Sequence, residues 1–425
     1  MSVYKCVTCT AEYEFRGERV YCVCGSLLDV EHGFVASRRD ALELFRARRA
    51  APRHEADRSG VWRFREFVLP ELSPDEIVTR QEGHTRLYRF PRTNAWLGMD
   101  SVRFKHEGEN PTGSFKDRGM TAAMSWARKN GAQAVVCAST GNTAAAVASY
   151  AALAGLKAVI LISEKGTAHG KVAQSLAYGA VAIMIRGDFD AALRLVMDSR
   201  EELGLTVLNS VNAVRLEGQK TIIWELLEQM GWDNPPDWIV VPGGNLGNTA
   251  AFGKALREAR ALGWIRKTPR IAVVQAAGAA PFAQAFRSGW RPATVQADTI
   301  ATAIKIGAPV NFSKAVRTVQ ETDGHVTAVT DREIMDAKAV LDSDGVGAEP
   351  ASCATAAGLR KMLEENVIRS DESAVAVLTG NFLKDPDAVI GYHTGSLPGL
   401  AASFANRPAV IEPDLQSLKR ALELL

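Results

Sequence analysis

The sequence predicts an α/β fold built on open, mainly parallel sheets, and three observations carry that prediction. From residue 76 on, short Val/Ile/Ala-rich runs alternate with longer helical patterns, the signature of βαβ units. The runs are apolar throughout instead of alternating, as strands covered by helices on both faces must be. Several end in loops of Gly, Asn, Ser and Thr that lead straight into a helix, which is where open sheets bind ligands. The strands expected are Val102 to Lys105, Ala134 to Ala138, Ala158 to Ile162, Ala182 to Ile185, Trp238 to Val241, Ile271 to Val274 and Ala374 to Leu378. No repeat or long linker divides this region, so any division is by topology.

The first 75 residues are organised differently. Residues 1–33 carry four of the six cysteines, Cys6, Cys9, Cys22 and Cys24, around the polar stretch from Ala11 to Arg19, which suits a short hairpin between two knuckles. In a reducing compartment such clustering points to a metal and not to disulfides. The spacing, C-x2-C and then C-x-C after twelve residues, makes structural zinc the candidate ion, with a metal-free ribbon as the alternative. The unit is too small to hold a core alone. Residues 34–75 read as a connecting arm, with Ala41, Leu42, Leu44 and Phe45 spaced for an exposed helix and Trp62, Phe64, Phe67 and Leu69 in a segment the pattern does not assign.

The 425 residues are 47% hydrophobic and 23% charged, with 50 Lys+Arg against 48 Asp+Glu, an ordinary soluble composition. A net charge of +2 with both signs interspersed lacks the footprint of a protein that binds nucleic acid or an acidic membrane. The most apolar window, Thr143 to Ile162, is broken by Ser149, Tyr150 and Lys157 and reads as a buried helix followed by a buried strand, with no membrane span. The N-terminus shows no apolar run before a small-residue cleavage site, so the cytoplasm is the expected compartment.

Four loops carry the chemistry. Asn110-Pro-Thr-Gly113 is a turn after a strand, and Ser114 or Thr112 is placed to cap a helix from about Phe115 to Lys129. That puts Lys116 in a first helical turn, where the helix dipole disfavours the ammonium form and favours a Schiff-base nucleophile. Ser139-Thr-Gly-Asn-Thr143 joins a strand to a helix from Ala144 to Ala154. Gly243-Gly-Asn-Leu-Gly-Asn248 does the same before a helix from Thr249 to Ala261; its glycines let backbone N–H groups converge on a phosphate, and it has neither the P-loop nor the dinucleotide spacing. Thr379-Gly-Asn-Phe382 closes a fourth strand. A nucleophilic lysine, a phosphate cradle and hydroxyl or amide loops on one sheet edge are the parts needed to hold pyridoxal 5'-phosphate.

With these loops in order, the sequence resembles the fold type II pyridoxal-phosphate enzymes, the tryptophan synthase β-like family, and within them the threonine synthases. The resemblance runs from Cys6 to the segment Gly391 to Gly399 and includes Gly170 to Gly179, Asn209 to Thr221, Thr299 to Gly307 and Glu349-Pro-Ala-Ser352. It implies two α/β domains, residues 118–208 forming the smaller and residues 76–117 and 209–425 the larger, with the cofactor between them. It also implies a homodimer. Lys116 would hold the cofactor and move protons on the substrate, and Phe115 would lie beside the ring. Asn142 would bond the phenolic oxygen, Gly244, Asn245, Leu246, Gly247 and Asn248 would cradle the phosphate, and Thr379 would face the pyridine nitrogen. Ser139, Thr143, Asn209 and Arg215 would grip the substrate phosphate, with Asn212 a neighbouring candidate. The reaction implied is conversion of O-phospho-L-homoserine and water to L-threonine and phosphate.

Two departures stand out. His84 and Arg86 replace the Asn and Pro usual in the loop Arg80 to Leu87, at the edge of the substrate site, and Val346 to Ala348 lacks a bulky residue before Glu349. Other readings remain open at this stage: a cysteate synthase, a threonine dehydratase, or a silent relative that only binds a phosphorylated amino acid.

Overall fold

The computed structural model describes residues 2–34, 37–139, 141–163, 169–186, 189–200 and 202–422. Each of the seven apolar runs forms a strand within two residues of its expected ends. A six-stranded sheet is ordered His325–Val329, Arg270–Ala276, Trp238–Pro242, Ala374–Leu378, Val102–His106, Leu87–Tyr88. All its neighbours are parallel except the last pair. A separate four-stranded parallel sheet is ordered Val181–Ile185, Lys157–Ser163, Ala134–Ala138, Leu205–Val207.

One expectation fails in part. Strand Val181–Ile185 is not covered on both faces: it is the edge of the smaller sheet, and Val181, Ile183 and Met184 are exposed. The central strand Trp238–Pro242 shows the expected pattern, with every residue buried.

The cysteine-bearing segment forms a three-stranded antiparallel sheet, ordered Glu12–Glu14, Ser2–Cys6, Leu28–His32. It borrows its core from the body. Phe15 stacks on Trp126 at 4.2 Å, the Trp126 indole N–H donates to the Gly17 carbonyl at 2.8 Å, and the Lys314 ammonium donates to the Leu28 carbonyl at 2.7 Å. The arm helix Arg38–Ala50 turns Ala41, Leu42 and Phe45 inward. The unassigned aromatics are buried with it, Phe45, Phe64 and Phe67 meeting Trp224 and Trp264 edge-on at centroid distances of 4.9 to 6.4 Å. Such pairs contribute about 0.5–1.5 kcal/mol each beyond area burial.

Beneath the loops that carry the chemistry lies a buried charge network centred on Glu225. One carboxylate oxygen accepts from Lys105 at 2.6 Å, Arg118 at 2.8 Å and the Thr85 N–H at 3.0 Å. The other accepts from the His84 N–H at 2.9 Å and lies 3.5 Å from Arg63. The network ties the arm, the loop 80–87, strand Val102–His106 and the helix that begins at Lys116.

Candidate active site

Lys116 opens the helix Lys116–Lys129. The cap differs from the expected one: Phe115 occupies the capping position with no side-chain bond. Thr112 instead donates its N–H and hydroxyl to the Asp117 carboxyl at 2.6 and 2.5 Å. Burial raises that carboxyl to about 7. Ser114 Oγ accepts only a long bond, 3.4 Å, from the Lys116 N–H.

Backbone bonds bring the Lys116 loop against the loop after strand Ala374–Leu378. The Phe115 N–H donates to the Thr379 carbonyl and the Asn381 N–H to the Gly113 carbonyl, both at 2.9 Å. The Glu349 N–H donates to the Gly380 carbonyl at 3.0 Å, which adds a third loop. Glu349 then joins two expected cofactor residues. Its carboxyl accepts from Asn142 Nδ2 at 2.9 Å and from the Thr379 hydroxyl at 3.2 Å, while Ser352 Oγ lies 3.0 Å from that hydroxyl. Burial raises the Glu349 carboxyl above its ordinary value. Sequence reasoning assigned Glu349 no role, and only its place in a motif drew attention to it.

The helix Asn142–Ala154 starts two residues earlier than expected, placing Asn142 and Thr143 in its first turn. Ser139 stands at the preceding strand end; Thr140, between them, lies outside the described residues. Asn209 closes over the same strand end in another way. Its amide accepts from the Ala138 N–H at 3.1 Å and donates to the Ala138 carbonyl at 2.9 Å, so its side chain is committed to holding that strand. Asn212 caps the helix Ala213–Gln219 by accepting from the Arg215 N–H at 3.3 Å.

The helices bearing Lys116 and Arg215 cross at close range. A Cβ on Gly218 would stand 1.8 Å from the Arg118 carbonyl oxygen, so only glycine permits the approach. Arg215 is buried, its Nη1 donates to the Leu208 carbonyl at 3.0 Å, and its Nε has no partner. No carboxylate pairs with it among the described residues. Burial lowers the guanidinium to about 10. A buried cation in this state is the complement of an anion. Burial also lowers the Lys116 ammonium to about 7, with Arg215 adding to the effect and Glu349 opposing it. Lys116 Nζ sits 4.1 Å from the Phe115 ring centroid.

The loop 243–248 lies where the strand Trp238–Pro242 turns into the helix Gly247–Ala261. A Cβ on Gly244 would come within 3.2 Å of the Ala303 carbonyl oxygen, and Leu246 holds a left-handed φ of +61°. Asn245 is bonded to the neighbouring loop, accepting from the Val310 N–H at 3.4 Å. At the helix start, Asn248 Oδ1 and Thr249 Oγ1 are buried without partners. Unpaired buried polar atoms beside the free N–H groups of a first turn fit a phosphate bound there.

The departures at 84 and 86 separate. His84 has a left-handed φ of +52° and is exposed, with partial loss of its solvent shell shifting its imidazole below the ordinary value. Arg86 is exposed and pairs with Glu109 at 3.3 Å.

The pyridoxal-phosphate dependent enzyme family matches residues 78–380, a span that takes in Lys116, Asn142, the loop 243–248 and Thr379. The chain belongs to that family, and pyridoxal 5'-phosphate is its cofactor. Over 99% of its length it is 40% identical to 99% of the threonine synthase of Methanocaldococcus jannaschii. Over 98% it is 40% identical to 98% of that of Methanosarcina acetivorans. Within the pyridoxal-phosphate enzymes, then, the chain is a member of the threonine synthase family, a lyase of threonine biosynthesis. Among solved structures, threonine synthase from Escherichia coli matches the whole of both chains with a TM-score of 0.71 at 19% identity. Maize serine racemase matches 82% of this chain and 94% of its own with a TM-score of 0.62 at 23% identity. Likenesses at these identities report the fold. Among the described residues, no helix is long and apolar enough to cross a membrane.

Proposed function

We propose that the chain converts O-phospho-L-homoserine and water to L-threonine and phosphate. The observation that carries this substrate is Arg215, a buried guanidinium with no carboxylate partner, on a helix crossed against the one that begins at Lys116. Pyridoxal phosphate, when bound, supplies the electron sink that stabilises negative charge on the substrate's carbon skeleton. Lys116 would anchor it, Gly244 to Asn248 would hold its phosphate, and Asn142 and Thr379 would bond its phenolic oxygen and its ring nitrogen. Thr379 offers a hydroxyl there, which leaves that nitrogen less readily protonated than a carboxylate would.

Lys116 removes the α-proton and then a β-proton of the substrate. The γ-carbon to oxygen bond breaks and phosphate departs into the grip of Arg215, Ser139 and Thr143. Lys116 returns one proton to the γ-carbon, which becomes the methyl group, and one to the α-carbon, while water adds its hydroxyl to the β-carbon and its proton leaves on the phosphate. Asn209, with its amide already bonded at both ends, shapes the phosphate pocket by fixing Ala138. On this reading residues 118–208 form a small lobe that closes over the substrate.

Mixing O-phospho-L-homoserine with the cofactor-loaded protein should release threonine and phosphate in equal amounts. Release of ammonia from threonine, or product formation from phosphoserine with sulfite, would replace this assignment with one of the neighbouring chemistries. Arg215→Ala should lower kcat/KM for the phosphorylated substrate by about 10²-fold, the loss of about 3 kcal/mol of charge-assisted bonding. Steady-state kinetics on the variant and on Arg215→Lys, which keeps the charge, measure it.

We also propose that Cys6, Cys9, Cys22 and Cys24 hold one structural zinc. Their sulfurs all lie within 4.8 Å of one another, with Cys6–Cys24 and Cys9–Cys22 at 3.5 Å. Four thiolates about 2.3 Å from one ion stand about 3.8 Å apart. Elemental analysis should find one zinc per chain, lost in Cys22→Ser together with several degrees of thermal midpoint. Assembly as a homodimer follows from the family resemblance and is checked by light scattering.

A further inference from the structure

Between the cysteine-bearing sheet and the body lies a cavity of about 290 Å³, close to the roughly 300 Å³ at which small-ligand sites begin. Trp126, Ala127, Ala132 and Ala213 give it apolar lining, and Glu18 and Arg19 give it both charges. A second cleft shares Glu18, Arg19 and Thr206 with it and adds Arg200.

The two charges of the first cavity do not pair with each other in any described ion pair, and the cation acting on Glu18 is Arg200 of the adjoining cleft. Arg19 lies over the Tyr13 ring at 3.7 Å, its Nε is buried without a partner, and no carboxylate pairs with it among the described residues. Glu18 accepts from the Val207 N–H at 3.0 Å and from Asn212 Nδ2 at 3.3 Å, with no cation bonded to it among the described ion pairs. Burial raises the Glu18 carboxyl to about 7, a cost that an ammonium beside it would offset. A carboxyl with no bonded cation and a guanidinium with no carboxylate among the described ion pairs, both lining a cavity walled by alanines and an indole, complement a zwitterion with an aliphatic side chain.

We propose that this cavity binds an aliphatic α-amino acid, its ammonium on Glu18, its carboxylate on Arg19 and its side chain against Trp126 and Ala127. The position has a consequence for the reaction. Glu18 holds Asn212, and Asn212 caps the helix that carries Arg215. An occupant that draws on Glu18 loosens that cap, so KM for the phosphorylated substrate rises while kcat holds. This second limb rests on the reading of Arg215 given above; binding itself does not.

Titration calorimetry on the cofactor-loaded protein with L-isoleucine, L-leucine and L-valine, and their D-enantiomers as controls, tests the site. Saturable binding of at least one L-isomer, without change in the visible band of the cofactor, is expected. It should weaken more than tenfold in Arg19→Ala and in the cavity-filling Ala127→Phe. Glu18→Gln, which keeps the shape of the side chain, guards against a variant that fails to fold. No saturable binding at ligand concentrations up to about 10 mM overturns the site. Binding that shifts the cofactor band, or that survives both Arg19→Ala and Ala127→Phe, also overturns it. Binding with KM unmoved overturns the transmission through Asn212 and leaves the site standing.

Discussion

Lys116→Ala is expected to abolish turnover, with a loss of at least about 10³-fold in kcat, and to leave the cofactor bound without its covalent link. The magnitude follows from losing both the anchor and the group that moves protons, since general acid–base catalysis alone contributes roughly 10²–10⁴-fold. The visible band of the holoenzyme, compared with that of the variant and of free pyridoxal phosphate, reports the link. Threonine and phosphate release report the chemistry. The structure adds a pH dependence. Burial and the neighbouring Arg215 disfavour the ammonium form, bringing Lys116 to about 7. The neutral amine is the nucleophile, so protein stripped of cofactor should recapture it faster as pH rises through about 7 and level off about one unit above. A capture rate still climbing at pH 10 would place Lys116 in an ordinary solvated environment and remove the argument.

Much of this site could be read from the residues because its parts are local. A glycine-rich turn between an apolar run and a helix has one geometry whatever surrounds it, so the loops at 110–116, 139–143, 243–248 and 379–382 fall where their patterns put them. The partners of those loops are another matter. Glu349 reaches Asn142 and Thr379 across 207 and 30 residues, and no local pattern encodes such a pairing. Asn209 reads as a free amide in a loop, yet its register with Ala138, 71 residues away, is what uses up its bonds. Thr112 is placed by the sequence to cap its helix, but buried Asp117 takes both of its donors. The same limit hid the arm: Phe64 and Phe67 show neither helical nor strand periodicity because they pack on Trp224 and Trp264, and the Trp62 indole on Thr121, all remote in sequence. Strand His325–Val329 and the short Leu205–Val207 were missed for a simpler reason. One is interrupted by polar residues and the other is three residues long, too little for a period to show.

Glu225→Ala should be the most damaging change to stability outside the catalytic loops. It leaves Lys105 and Arg118, both fully buried, without their shared carboxylate, and removes the acceptor for the N–H groups of His84 and Thr85. Breaking a buried ion pair from one side costs about 3–5 kcal/mol because the remaining charge is stranded. The urea midpoint of Glu225→Ala should fall accordingly, and Glu225→Gln, which keeps the shape and some of the hydrogen bonds, should recover part of the loss. A cost below about 1 kcal/mol would mean that Glu107 alone satisfies the two cations. The pH dependence has a definite sign. The surrounding cations hold the Glu225 carboxyl well below its ordinary value. Its contribution is therefore complete above the unfolded-state value of about 4.3 and fades as pH falls below it, so the gap between wild type and variant should narrow in acid. Activity should fall as well. Arg118 sits two residues after Lys116 on the same helix, and losing its bond to Glu225 leaves its guanidinium held by Glu107 and by longer bonds to Thr85 and Thr221. The network thus links the stability of the fold to the aim of the lysine proposed to do the chemistry.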